Sequence, residues 1–583
     1  MGTVSKRLVV LGCSASKTAT EGVVPAINLY DGPSFRVLRA FLREYRWPAP
    51  LSVAVLSAQY GLIGGLAHIS TYNRRMTPDR ALELSPIVRS SLQRLAVDHR
   101  QVDLILGEDY RASLSLASHK LAGFPKHRFA VGPIGMKLNY LHNILHRMPR
   151  REAHRPRHPS RSGRPLYFLP DWDDFVDAEF DFSSDSFSSL YRQNRHEEHT
   201  VSLMGPERIC DGVLVSLAQH LGSKGMLRRI GLDSPDALAP RSVRSRFKLK
   251  ADQWAFGDCG AFSYASEDVP SIGVEQAVHV YNLYEFDLGA SVDHIPLPVI
   301  VCDGKKIALT EAERRKRIRL TRDNAERFIS LRNAHSARFI PVGVIQGITA
   351  RDYASQVGDY FDMGYRYLAL GGLVPRSDPE ILEIVNEVSR GLSRLRERPW
   401  LHLLGVFRPL LQEHFRRLGV NSFDSATYFR KAWLRSDQNY LGADGEWYAA
   451  IRVPLTRDPR TLARLKDSGV SEGRIRRLEQ AAMDVLHRYD RGAATLAECL
   501  RAVSAYDSLL VRNEAMGKNL LDAYRRTLER KPWKTCGCNV CQEIGIDVIL
   551  FRGLNRNKRR GAHNTLQLYR RINDAAVRTG GET

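Results

Sequence analysis

The chain has 583 residues, of which 43% are hydrophobic, enough to build cores for roughly two to four globular domains. Lys plus Arg number 86 against 64 Asp plus Glu, and the net charge of +22 is the excess expected of a protein that meets a polyanion such as nucleic acid, although arginine enrichment can also follow genome base composition. No stretch approaches the ~18 apolar residues of a membrane span, and the run at residues 8–13 behind Lys6-Arg7 is too short for a secretory signal core of roughly 7–15 residues, so the expected location is the cytoplasm.

Residues 1–148 alternate apolar strand-like runs (8–11, 51–56 and 102–106) with helical stretches, the pattern of an α/β domain with a mostly parallel sheet. The first run leads into Gly12-Cys13-Ser14-Ala15-Ser16-Lys17, a turn able to hold phosphate on its amides. Cys13 there reads either as a nucleophile or as a small buried thiol. Residues 149–165 lack apolar periodicity and are rich in Arg, Pro and Ser, so they read as a basic linker, either solvated or lying along a phosphate backbone.

From Leu166 a larger α/β region begins, with its main part expected over 166–455. Apolar runs at 254–256, 339–345, 367–370, 401–406 and 420–423 each end at a polar or Gly-containing motif. Chemistry at strand ends suits a (β/α)8 TIM barrel, and an open doubly wound sheet gives a similar local pattern. Thr310 and Glu313 form a capping box that should start an outer helix. Residues 456–530 read as a helical insertion, with Ile475, Leu478, Ala482 and Val485 at helical spacing; Arg474, Arg476 and Arg477 beside them are either a solvated face or a phosphate contact. In the last segment, 531–583, Cys536, Cys538 and Cys541 followed by His563 have the ligand types and spacing of a closed Cys3His zinc site, which is structural rather than catalytic.

Five elements in one order resemble the tRNA-guanine transglycosylase family, and within it the DNA-modifying branch, over residues 166–575 or about two-thirds of the chain. They are Asp258-Cys259-Gly260-Ala261-Phe262, Ile345-Gln346-Gly347, Gly371-Gly372-Leu373, Phe423-Asp424 and the Cys3His quartet; the acidic run from Asp171 to Asp177 adds to the likeness with the DNA branch. The resemblance implies a transglycosylase that exchanges guanine in double-stranded DNA for 7-cyano-7-deazaguanine (preQ0), with a DpdB-like ATPase as an implied partner. It also implies Asp424 as nucleophile and Asp258 as general acid and base, roles for which the chemistry needs two carboxyl groups. An Asp at either position could instead be a helix N-cap.

For the base edge, a carboxylate suits the N1–H and N2–H donors of guanine. Asp293 is the expected carboxylate and Asp287 its competitor. Gln346 and the amides around Gly371, Gly372 and Leu373 would reach O6, and Phe262 would stack on the ring or fill a core. Cys259, Ala261, Ser263 and Ile348 depart from the family pattern in the base pocket, which argues against tRNA as substrate. A tRNA-directed transglycosylase and a non-catalytic, zinc-stabilised nucleic-acid-binding subunit are the alternatives. Residues 1–148 distantly resemble the YaaA peroxide-stress proteins.

Overall fold

The structure is a computed structural model that describes residues 6–20, 22–114, 126–159, 164–171, 174–189, 191, 197–218, 237–240, 242–434, 437–459, 462–463, 469–511 and 520–580. Residues 160–163 of the linker, 172–173 of the acidic run, and 460–461, 464–468 and 512–519 of the expected helical insertion lie outside the described residues. The chain divides into two compact units, one of residues 1–160, 214–244 and 255–404, the other of 161–213, 245–254 and 405–583.

The N-terminal sheet contains β1 (Arg7–Gly12), β2 (Leu51–Ser57), β3 (Gly61–Gly64), β4 (Gln101–Ile105) and β5 (Lys126–Phe129), in the order β3-β2-β1-β4-β5. β1 pairs in parallel with both β2 and β4, and only β3 runs antiparallel. Helix α1 (Pro33–Glu44) follows β1, and α2 (Pro78–Ala96) starts at Thr77, whose side chain accepts the Arg80 amide. Leu8 and Val10 of β1 pack with Ala54, Leu56, Leu84, Val88 and Leu92 in one core, and Val9 and Leu11 on the opposite face of the sheet are buried as well, which explains why the β1 run is apolar on successive residues rather than alternating.

Eight further strands close a parallel barrel: β6 (Leu166–Asp171), β7 (Gly212–Ser216), β8 (Trp254–Asp258), β9 (Leu288–Ala290), β10 (Ile340–Ile345), β11 (Tyr367–Leu370), β12 (Trp400–Leu403) and β13 (Ser422–Asp424). Neighbours follow one another in chain order all the way round, with β13 returning to β6, so the fold is a TIM barrel and not an open sheet. The run at 401–406 is strand only to Leu403, and the one at 420–423 begins at Ser422 and includes Asp424. Helices α3 (Val274–Leu283), α4 (Glu311–Ala334) and α5 (Asp378–Ser393) follow β8, β9 and β11, and α4 opens on the Thr310–Glu313 capping box. Gly257 and Gly289 let Tyr281 of α3 lie against β8 and β9: a Cβ on either would fall within 2.1 or 2.5 Å of its ring.

The C-terminal part of the second unit is helical: α6 (Thr427–Leu434), α7 (Glu472–Asp490), α8 (Leu496–Val511), α9 (Leu521–Arg530) and the long α10 (Gly553–Gly580). Arg556, Arg559 and Arg560 of α10 are fully buried. Arg556 pairs with Asp185 and Asp547, while Arg560 donates to the carbonyls of Ala432, Val548 and Leu550. No described helix is long and apolar enough to cross a membrane.

Candidate active site and metal centre

Asp258 is the last residue of β8, at the carboxyl end of the barrel where TIM-barrel chemistry is placed. Its Oδ2 accepts the Gly260 amide at 3.1 Å, closing a tight turn. Gly260 has φ +79°, and a Cβ there would lie 2.0 Å from Ser216 Oγ, so both the backbone conformation and the space demand glycine. The 3-10 turn Ala261–Tyr264 that follows leaves Phe262 about half exposed (52%) and buries Tyr264.

Asp293 lies three residues beyond the end of β9 and is buried. Cys259 donates its thiol proton to Asp293 Oδ1 at 2.7 Å, and Gln346 Nε2 donates to Oδ2 at 2.6 Å. Tyr264 braces the pair, its hydroxyl lying 3.0 Å from Cys259 Sγ and 2.9 Å from the Asp293 carbonyl. Burial raises the Asp293 carboxyl pKa against the opposing pull of these hydrogen bonds, and burial likewise pushes the Cys259 thiol up. One oxygen each of Asp258 and Asp293 and the Cys259 sulfur lie within 4.8 Å of one another.

Gln346, the residue after β10, is fully buried, and its Oε1 has no hydrogen-bond partner among the described residues. Gly371 and Gly372 press against it: a Cβ on the first would meet Gln346 Nε2 at 2.1 Å and one on the second Oε1 at 2.7 Å. Tyr353 holds this segment by donating to the Gly371 carbonyl at 2.8 Å, and Leu373 is fully buried.

Asp287 sits at the other end of the same strand, directly before β9. It accepts from His154 Nε2 (2.7 Å), Arg244 Nη1 (2.6 Å) and the Ala255 amide (2.8 Å). Those partners make it an anchor for linker residue His154 at the amino end of the barrel. Linker residue His158 bonds the Tyr367 hydroxyl at 2.9 Å in the same way.

Asp424 ends β13 and is 5% exposed. The Gly405 amide donates to its Oδ1 at 2.7 Å. Phe423 is held between the rings of Tyr167 and Phe407, with centroids 5.5 and 5.2 Å away, and Tyr167 donates to the Ser425 carbonyl at 2.7 Å. The first amide of α6, at Thr427, is taken by Ser425 Oγ at 3.2 Å, so the capping role at this turn falls to Ser425.

Cys536, Cys538, Cys541 and His563 are buried together in the second unit. The three sulfurs lie 3.7, 3.4 and 3.4 Å from His563 Nδ1. A tetrahedral ion with Zn–S ~2.3 Å and Zn–N ~2.0 Å has S···N edges of about 3.5 Å, so the quartet fits such an ion without rearrangement. His563 Nε2–H donates to the Leu441 carbonyl at 2.8 Å, which leaves Nδ1 as the ligand nitrogen, and the Tyr440 ring stacks on the imidazole at 4.1 Å. This group can bind a metal ion.

The structure thus brings Asp258, Asp293, Gln346 and the Gly371–Gly372 pair into one region, and separates Asp287 from it. Sequence reasoning missed Tyr264, Tyr353 and the Gly405 amide as supports. Only Tyr264 carried a local signal, two residues beyond Phe262 in the same motif; the others meet their partners through the fold.

Residues 8–143 match a family of unknown function, DUF6884. A DNA-guanine transglycosylase of Salmonella montevideo is 35% identical to the chain over 411 residues, which cover 70% of this chain and 96% of that protein.

Proposed function

The chain belongs to the DNA-guanine transglycosylase family, a class of glycosyltransferases, and from that premise we propose that it replaces guanine in double-stranded DNA with 7-cyano-7-deazaguanine through a covalent intermediate on Asp424. The observation that carries this reading is that Asp258 and Asp424 each end a strand of the closed barrel at its carboxyl end.

In the proposed reaction an Asp424 oxygen bonds C1′ as the C1′–N9 bond breaks, and Asp258 supplies the proton that the departing guanine takes up. Asp258, now a carboxylate, removes the N9 proton of the incoming base, whose nitrogen re-forms the bond to C1′ and releases Asp424. Asp293 would accept from the base's Watson–Crick edge. With Gln346 Nε2 committed to Asp293, its unpartnered Oε1 offers a further acceptor for an amino group, and the glycines admit a ring close to the backbone. A 7-deazaguanine shows the same edge, so one pocket would serve both bases. The target nucleotide must leave the helix, at a cost of a few kcal/mol that backbone contacts offset.

The proposed ion at the Cys3His quartet is zinc, supported by the soft thiolate set and closed geometry; it would hold α10 to the turn at 536–541 and take no part in chemistry.

Mass spectrometry of nucleosides from DNA and from tRNA of cells expressing the protein with a preQ0 supply tests the reading. A 7-deazaguanine deoxynucleoside in DNA is expected; a modified nucleoside confined to tRNA would overturn it.

A further inference from the structure

A cavity opens at the amino end of the barrel, opposite the strand end that carries Asp258. There the starts of β10 and β11, the last turn of α4 and linker residues Arg155, Pro156 and His158 line an open cavity of about 610 Å³, within the ~300–1,000 Å³ range of small-molecule sites. Four guanidinium groups line it, from Arg155, Arg332, Arg338 and Arg366, with His158 beside them. Among the described residues only Arg366 has a carboxylate partner, Glu397 at 3.4 Å. Glu285, the acid that acts on Arg338, is itself paired with Arg46 at 3.5 Å.

Arg332 lies in the last turn of α4, where a cation complements the carbonyl end of the helix, and it also donates to the Phe339 carbonyl. Helix capping leaves Arg155 and Arg338 unexplained. Burial lowers the Arg338 pKa and the Arg155 charge lowers it further against the opposing pull of Glu285, so two like charges stand near each other on the cavity wall while the acid beside them is shared with Arg46. A ligand carrying negative charge would relieve that repulsion. Tyr367, stacked on Trp400 and hydrogen-bonded to His158, makes a rigid aromatic part of the wall.

We propose that this cavity binds a phosphate-bearing small molecule of nucleotide size, its phosphate between Arg155 and Arg338. A concave cavity of this volume suits a small molecule better than a duplex, whose phosphates lie on a convex rod. The inference is independent of the base-exchange reading, because none of these residues belongs to that site.

The test is calorimetric titration of the full-length protein with pyrophosphate, AMP and adenosine, adenine being chosen because it lacks the guanine edge. Saturable binding of AMP and pyrophosphate but not adenosine is expected. Arg155→Ala, at an exposed position that the core does not depend on, should weaken it about tenfold or more, and Arg155→Ala with Arg338→Ala should abolish it. No saturable binding to the wild type, or binding unchanged in Arg155→Ala, overturns the proposal. So does a result in which Arg155→Ala weakens only duplex DNA binding, measured by anisotropy, because the cavity rim would then be a backbone contact.

Discussion

At the scale of single residues, Asp424 and Asp258 should fail differently. Asp424→Asn should abolish both the covalent protein–DNA species on denaturing gels and the exchange of labelled guanine, since an amide is a far poorer nucleophile than a carboxylate. Asp258→Asn should slow exchange by about 10² to 10⁴-fold, with residual adduct where guanine leaves unassisted. An adduct formed by Asp424→Asn would overturn the assignment.

The two carboxylates around β9 offer a second contrast. Asp293→Asn places a donor where the base edge also donates, so affinity for guanine and for preQ0 should fall together by about 1–3 kcal/mol, read by calorimetry. Asp287→Asn removes the charge opposite Arg244 and His154, and its main effect should be on stability, about 3–5 kcal/mol for breaking a buried pair. A loss of base affinity confined to Asp287→Asn would reverse the roles. From the sequence alone, Val292-Asp293-His294 is the preferred reading, and Phe286-Asp287-Leu288 can be read as the same element. Their difference is the position of a three-residue strand, which is too short to announce itself by periodicity.

At the scale of elements, the barrel strands that ended in recognisable motifs were legible, and β7 and β9 were not. β10 and β11 are continuous apolar runs, whereas β9 is Leu-Gly-Ala and depends for its place on Tyr281 packing over Gly289. Helix α7 carries Arg474, Arg476 and Arg477 exposed, with Arg476 paired to Glu472 at 2.7 Å. Replacing all three by Ala should weaken duplex binding equally for all sequences and flatten its salt dependence, measured by anisotropy over a salt series. An unchanged salt slope would make this a solvated face.

At the scale of the whole molecule, part of the basic excess is structural. Burial lowers the Arg560 pKa to about 9, and its guanidinium ties α10 to the carbonyls of Ala432, Val548 and Leu550. The count of +22 therefore includes charges that never face a partner. The same helix carries His563 of the Cys3His quartet. Cys538→Ser should lose metal, measured by emission spectroscopy of the purified protein, and should lower soluble yield with it; a folded, fully active and metal-free variant would contradict a structural role.

The sequence by itself determined what rests on residue type and short spacing: the Cys3His ligand set, the Thr310–Glu313 cap, the α/β alternation and the ordered motifs that resemble a guanine transglycosylase, while the strand order decided for a closed barrel over an open sheet. Tertiary structure alone decided which groups meet across long separations. Cys259 and Gln346 converge on Asp293, the Gly405 amide reaches Asp424, and His154 crosses to Asp287. The physical reason is that each of these bonds joins the ends of different strands, or a strand to a distant loop. Their partners are set by closure of the barrel, which brings strand ends together irrespective of how far apart they lie in the chain.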